Sequence, residues 1–281
     1  MRPTLALLRA DLVRVGRDEL LVWILAVPLV MALAARLVLR PWLLSSPYGT
    51  GWLARLDAAA FVVVVPTLVG TVVGFLILSD KEDRVWDALA VTPWSLRGYL
   101  AWRAAGAGLV TMVACPVCLQ LGGLNDLPAA STLLVALAAA PLASATTLAL
   151  AAWLSSTLQG IAAVKLGLVV LVLPAALMGV PAGSVLAVIP SWWTVRAYAA
   201  APSGQSLLWS LGSWLVCLVI SAAALSRTGS AHRGSPQLDR AGDRDAGRDR
   251  RSSRPVPDGE PEEPPTRSGS ALEERRCRRP R

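Results

Sequence analysis

The sequence predicts an all-α, polytopic membrane protein with six transmembrane helices. Of its 281 residues, 54% are hydrophobic and 16% are charged, and the mean hydropathy is +0.52. Soluble globular domains do not have this balance. Several apolar runs without a charge reach the length of about 20 residues that a helix needs to cross a bilayer. Charged residues lie mainly between these runs or beyond residue 226.

The N-terminal segment, residues 1–19, predicts an amphipathic helix on the inner membrane surface, because its basic residues lie among leucines and valines. Those basic residues are Arg2, Arg9, Arg14 and Arg17. Residues 20–39 follow as the first span, with Pro28 as a kink. A cleaved signal peptide is the alternative, since residues 32–34 resemble a cleavage site. The acidic residues directly before the apolar run are unlike the basic start of a signal peptide.

The next four spans are predicted from charge-free length and from helix breakers. Residues 40–57 contain Pro and Gly and are interpreted as a loop. The second to fifth spans are then residues 58–79, 99–122, 132–154 and 159–180, and the charge-free run that holds the last two is broken at residues 155–157. Lys165 lies inside the fifth span, where it extends towards the interface or, alternatively, is a buried functional lysine.

The segment 181–204 is apolar but interrupted by proline and glycine, so a full span is not expected. We predict a re-entrant hairpin of two short helices at the outer interface, with Pro190, Trp192, Trp193 and Tyr198 in it. Aromatic residues favour that depth. Residues 205–225 form the sixth span.

Two domains follow from this order: a six-span transmembrane domain, residues 1–226, and a disordered tail, residues 227–281, which is too polar to fold. The first carries 13 basic and 9 acidic groups, and the tail carries 14 and 10. The net charge of +8 is therefore spread over the chain and indicates no nucleic-acid partner.

The positive-inside rule predicts the orientation. With six spans, both termini share a side with residues 80–103 and with Lys165, and nine basic residues before the tail lie on that side. Four lie on the other: Arg36, Arg40, Arg55 and Arg196. We therefore expect a multi-pass protein of the bacterial plasma membrane with both termini in the cytoplasm, surrounded by membrane lipid.

The sequence indicates no catalytic, metal-binding or cofactor-binding residue. The single histidine, His232, lies in the tail, and the chain has no G-x-x-x-x-G-K-[ST] phosphate loop. Cys115 and Cys118 have a redox or metal spacing, but without a second pair they are expected to be small apolar side chains. Because no Asp or Glu lies inside a predicted span and Asp57 lies at an edge, proton coupling is disfavoured, while sodium coupling through backbone carbonyls remains open.

The charged segment 80–103 lies between the second and third predicted spans. Over residues 83–90 apolar side chains recur at helical spacing, which predicts a short amphipathic helix along a membrane or protein surface. Thr92 and Pro93 end it and begin the next helix. Tyr99 and Trp102 are expected at headgroup level.

Residues 80–93, DKEDRVWDALAVTP, resemble the E-[RK]-E-x-G-T-x-E-x-L-x-x-T-P pattern of type 2 ABC transporter permeases. The sequence departs from it where the pattern has Gly-Thr, which is Arg84-Val85 here. The layout of residues 1–226 is also similar to that family, with an amphipathic entry helix, six spans and a broken outer segment. The drug-efflux permeases of the fluoroquinolone-export kind are the nearest resemblance.

This resemblance implies a permease subunit of an exporter for a drug, lipid or other amphipathic small molecule. It implies two partners: separate ATPase subunits, which bind the ATP, and a second permease bundle in a homodimer or heterodimer. It implies ATPase-coupling residues and an outer hairpin, namely Glu82, Asp83, Arg84, Val85, Trp86, Asp87 and Leu89, and Pro190, Trp192 and Trp193. The alternatives are a non-transport membrane scaffold and a membrane enzyme, although the cluster 80–87 lacks a histidine, a serine nucleophile or metal-ligand spacing.

Overall fold

The computed structural model describes residues 19–45, 49–86, 95–124, 127–179 and 181–233, and within these ranges it contains helices and no strand. Five of the helices are long and apolar enough to cross a membrane. They are Gly51–Glu82, Leu96–Gly122, Ala129–Trp153, Thr157–Ala176 and Ser206–Thr228. The predicted class, an all-α polytopic membrane protein, is confirmed.

The predicted first span is helical but is not one of these five. Helix α1 (Glu19–Ala34) continues through a π-helix (Ala35–Leu39) into α2 (Arg40–Leu44). Pro28 lies inside α1, as expected for a kink. The count of six spans therefore stays a prediction.

The predicted loop 40–57 is wrong over most of its length. After α2, helix α3 (Gly49–Asp57), a π-helix (Ala58–Val64) and α4 (Val65–Glu82) run without a break. Pro41 and Pro66 lie inside continuous helices, each two residues beyond a π-helical stretch, so neither ends its helix although each lacks a backbone N–H. Asp57 consequently lies within a continuous helix, not beside a loop.

The third to fifth spans lie close to their predicted positions: α5 (Leu96–Gly122), α6 (Ala129–Trp153) and α7 (Thr157–Ala176). The side chains of Ser95 and Ser156 accept hydrogen bonds from the backbone N–H groups of Gly98 and Gln159, so two helices begin at serine N-caps. α5 ends at Gly123, whose φ of 57° suits glycine. Lys165 is exposed on α7, so this chain alone does not bury it.

Two short helical pieces occupy the predicted hairpin, a 3-10 helix (Pro181–Val188) and α8 (Pro190–Ala199), with a 3-10 turn (Ala201–Ser203) behind them. α9 (Ser206–Arg233) follows and ends beyond residue 226. The tail was predicted to begin at 227, which is wrong for residues 227–233, because the helix continues through them.

Three predictions concern residues outside the described ranges. They are the N-terminal amphipathic helix over residues 1–18, the part of the coupling helix with Asp87 and Leu89, and the tail from residue 234.

Helix α6 is the centre of the bundle, and small residues let its neighbours approach closely. A Cβ on Gly70 of α4 would lie 2.5 Å from the backbone oxygen of Ala143. Hydroxyl groups also bond across the helices to backbone oxygens: Thr147 to Gly70 at 3.0 Å, Ser144 to Ala104 at 2.7 Å and Ser213 to Ala138 at 2.7 Å. α6 is thereby held to α4, α5 and α9 in the way that small and hydroxylated residues pack helices in membranes.

Candidate functional site

The chain turns sharply where α4 ends. Glu82 is the last residue of α4, and the backbone N–H of Asp83 donates to the oxygen of Ser79 at 2.9 Å. Arg84 then adopts a φ of 55°, and the chain is helical again at residues 85–86. The helix predicted over 83–90 therefore does not begin at Asp83, because a left-handed residue cannot continue a right-handed helix. We name residues 80–86 the elbow, and the end of the bundle that contains it the elbow end.

Arg84 stands where the resembled permease pattern has glycine. A φ near +55° costs little for glycine and roughly 1–2 kcal/mol for a residue with a Cβ. The tight turn is therefore kept although its favoured residue is replaced, which places local strain at the elbow.

Asp80 joins α4 to α5 through a buried ion pair. Asp80 is only 4% exposed. Its Oδ2 accepts hydrogen bonds from Arg103 Nη2 at 2.9 Å and from the Tyr99 hydroxyl at 2.5 Å. Tyr99 is buried on the face of α5 that meets Asp80, and its expected depth at headgroup level stays a prediction. Since Tyr99 and Arg103 are four residues apart, they share a helix face, and that spacing was the signal that sequence reasoning missed.

Lys81 and Trp86 connect the elbow to the end of α6. Lys81 Nζ donates to the oxygen of Leu154 at 3.0 Å and lies 5.1 Å from the centre of the Trp86 ring. Trp86 itself is half-buried against the cluster that contains Ile77 and Leu100. Of the predicted coupling residues, Val85 is exposed, whereas Trp86 lies partly against its own bundle. Its role as an anchor for an ATPase stays a prediction.

Glu82 connects the elbow to α7. Its Oε1 accepts a hydrogen bond from the backbone N–H of Thr157 at 2.7 Å, and its Oε2 accepts one from the Thr157 hydroxyl at 3.2 Å. A carboxylate at the first residue of a helix satisfies an unpaired N–H and interacts favourably with the helix dipole. Residues 155–159 thus share the elbow end, which agrees with the expectation that both segments lie on one face.

The hairpin residues lie at the other end of the bundle, which we call the opposite end. Trp192 is 8% exposed and packs edge-on against Trp193, with centroids 5.1 Å apart, and against Trp209 of α9 at 5.6 Å. Pro190 is the first residue of α8. The expectation that these tryptophans anchor the hairpin in the lipid interface stays a prediction; within this chain Trp192 is buried and Trp193 is partly buried.

Tyr198 of α8 donates its hydroxyl hydrogen bond to Asp57 Oδ2 at 2.5 Å, and both residues are buried. The second carboxylate oxygen, Oδ1, has no hydrogen-bond partner among the described residues. This contact attaches the hairpin to the continuous helix that ends in the elbow. That helix therefore makes a tyrosine–aspartate contact near each of its ends.

A metal centre finds no support in the described part of the chain, which has no group of three His, Cys, Asp or Glu residues placed to hold an ion. Cys115 and Cys118 are buried free thiols, and Cys115 Sγ donates to the oxygen of Phe61 at 3.4 Å. Both cysteines are therefore packed as small apolar side chains.

Comparison with known proteins gives the family. The model described as "Fluoroquinolones export permease protein Rv2686c-like" matches residues 11–226. Two curated relatives, the fluoroquinolones export permease proteins Rv2686c and MT2760 of Mycobacterium tuberculosis strains H37Rv and CDC 1551, are each 27% identical over 199 residues. These residues cover 68% of this chain and 79% of each relative. No solved structure matches. Because the family match takes in nearly all of the five candidate spans and the elbow, this chain belongs to the Rv2686c-like family of fluoroquinolone export permease proteins.

Proposed function

We propose that this chain is the membrane-spanning permease subunit of an ABC exporter, and that separate ATPase subunits bind the elbow and drive transport. Membership of an export permease family supports transport over the enzyme and scaffold alternatives. The absence of a phosphate loop from the sequence supports a partner, since ATP must then be bound elsewhere. From the names of the relatives, the proposed substrate is a fluoroquinolone or another amphipathic small molecule.

One observation carries the proposal: three consecutive elbow residues each contact a different helix. Asp80 bonds to α5, Lys81 to the end of α6, and Glu82 to the start of α7. A displacement of the elbow is therefore transmitted directly to three candidate spans. Val85, which is 37% exposed directly after the turn, is available to a partner.

A second permease bundle, identical or different, is proposed to complete the pathway. The most apolar stretches of α7 and α9 are only 17% and 22% buried within this chain, compared with 67% for that of α6. Lipid can cover apolar faces of this kind, and so can a partner bundle. The oligomeric state of the purified complex discriminates between these two coverings.

The elbow is proposed to face the cytoplasm of a bacterial cell, where ATP is available to the partner. The positive-inside rule supports this orientation, because Lys81, Arg84, Arg97 and Arg103 lie in or near the elbow. The same orientation places the hairpin on the outer side.

Co-expression of the permease with a candidate ABC ATPase subunit from the same genome tests the proposal. We expect the two to copurify and a fluoroquinolone to stimulate ATP hydrolysis by the complex. A permease that copurifies with no ATPase, in an extract where the ATPase is soluble and abundant, would support the scaffold alternative.

A further inference from the structure

A cavity of about 230 Å³, open on one side, lies between α4, α6 and α7. Twelve residues line it, and none is charged. Thr67 and Thr71 come from α4, Trp153 from α6, and Ala163, Val164 and Gly167 from α7, among others. Since these helices belong to three separate candidate spans, the cavity lies within the membrane part of the molecule.

The cavity exists because α7 approaches α4 closely at one point and leaves it afterwards. At the elbow end, a Cβ on Gly160 would lie 2.7 Å from the Phe75 ring, so the helices nearly touch there. Further along, the oxygen of Leu171 accepts a hydrogen bond from Ser191 at 2.6 Å, and Pro174 is buried again. Between these contacts α7 covers an unfilled space.

The chemistry of the lining favours an apolar ligand. The hydroxyl groups of Thr67, Thr71 and Thr146 already donate to carbonyl oxygens of their own helices, at 2.7, 2.7 and 2.9 Å. They therefore present few unsatisfied donors to a ligand. An enclosed apolar cavity of about 150 Å³ accepts benzene, so the larger volume of about 230 Å³ has room for a fused pair of aromatic rings even though this cavity is open on one side.

One side of the cavity carries a positive charge nearby. Trp153, which lines it, is about half exposed, and the guanidinium of Arg227 lies 6.0 Å from its ring centre. An anionic substituent on a ring system held in the cavity would lie within reach of this arginine and would be stabilised by it. A pure hydrocarbon chain gains nothing from that charge.

We propose that the cavity between α4, α6 and α7 binds the fused aromatic ring of an amphipathic carboxylate, with the carboxylate towards Arg227. This inference rests on the proposed function and names the site and chemistry of its substrate. Because Glu82 is bonded to the first residue of α7, movement of the elbow alters one wall of this site.

A glycine substitution tests the site with little risk to the fold. A Cβ on Gly167 meets nothing within 4 Å and Gly167 lines the cavity, so we expect Gly167→Leu to occupy part of the cavity. A Cβ on Gly106 of α5 also meets nothing within 4 Å, but Gly106 does not line the cavity, which makes Gly106→Leu the matched control. Ala163→Leu, one turn before Gly167, is a second filling variant.

The experiment measures binding of norfloxacin, a fluorescent fused-ring carboxylate, to the full chain in lipid nanodiscs by equilibrium dialysis against empty nanodiscs. We expect Gly167→Leu and Ala163→Leu to weaken binding at least tenfold without lowering the melting temperature, and Gly106→Leu to stay within twofold of wild type. Arg227→Gln is expected to weaken norfloxacin several-fold and to leave the neutral fused-ring probe N-phenyl-1-naphthylamine unchanged.

Two results would overturn the inference. One is norfloxacin binding that the filling variants leave unchanged. The other is wild-type protein that binds no more than empty nanodiscs, as expected if lipid chains fill the cavity. Copurification with the ATPase is measured on the same samples. If the complex forms while norfloxacin binding is absent, the proposed function stands and the site is wrong, whereas absence of the complex contradicts the proposed function itself.

Discussion

Glu82 holds the first residue of α7: its carboxylate lies 2.7 Å from the backbone nitrogen of Thr157, 75 residues away in the chain. The last residue of one candidate span thereby caps the start of another. A change in the direction of the elbow therefore reaches α7 through one side chain.

The contact between Glu82 and Thr157 should be worth about 1 kcal/mol, as for a charged hydrogen bond at an exposed helix N-terminus. Glu82→Ala is expected to lower stability by that amount and to reduce drug-stimulated ATP hydrolysis by the complex. Glu82→Gln keeps an acceptor oxygen and should fall between. Equal ATPase stimulation in Glu82→Ala and wild type would show that this contact transmits nothing.

The buried pair of Asp80 and Arg103 should be far more sensitive. Arg103→Ala leaves a buried carboxylate without its cation, which costs about 3–5 kcal/mol in folded proteins. Denaturation in detergent measures this loss. Arg97→Ala is the control, since Arg97 is exposed on the same helix and a surface change is worth within about 0.5 kcal/mol.

A second variant separates the loss of the pair from the loss of packing at the same place. Asp80→Leu combined with Arg103→Leu removes both charges together, so we expect it to be more stable than Arg103→Ala. If the double variant is the least stable protein, packing or the Tyr99 hydroxyl, not the isolated charge, dominates there.

The left-handed conformation of Arg84 predicts a stabilising change. Arg84→Gly relieves the Cβ penalty and should raise the free energy of unfolding by about 1 kcal/mol. Arg84→Ala removes the charge but keeps a Cβ, so it should resemble wild type. If alanine and glycine stabilise equally, the effect comes from the arginine charge and the strain argument is wrong.

The two ends of the bundle should lie on opposite sides of the membrane. In a chain whose native cysteines have been replaced, a cysteine at Ser203 should react with an impermeant maleimide in intact cells, and one at Ser155 should react only after lysis. Ser155 lies beside the elbow, whereas Ser203 follows α8 at the opposite end. Reaction of both sites in intact cells would contradict the proposed orientation.

Length and charge were sufficient to place most helices, because a bilayer requires long apolar runs. The break before α7 was also readable, since Ser156 is an ordinary N-cap. The start of α5 was placed too early, at Thr92 and Pro93, because Ser95 is extended and caps the helix that begins at Leu96. Proline and glycine misled at residues 40–57, because the helix that precedes Pro41 continues through it instead of ending there.

Contacts between helices could not be read from the sequence, since they depend on the rotation of each helix about its axis. Asp80 belonged to a recognised motif, yet its partner Arg103 follows only once the faces of α4 and α5 are known. The same holds for Trp192, whose neighbour Trp209 comes from α9. Aromatic residues near a span end are consistent with both a lipid interface and a packed interior.

Docking of an ATPase on the elbow is the central claim, and Val85→Asp tests it most directly. Val85 is 37% exposed directly after the turn, so a carboxylate there changes the surface that a docked partner would contact. Val188→Asp is the matched control, because Val188 is 87% exposed beside α8 at the opposite end. The affinity of the purified ATPase for the full chain in nanodiscs should fall at least tenfold, about 1.4 kcal/mol, for Val85→Asp and stay unchanged for Val188→Asp. Equal affinity for both variants would contradict the account.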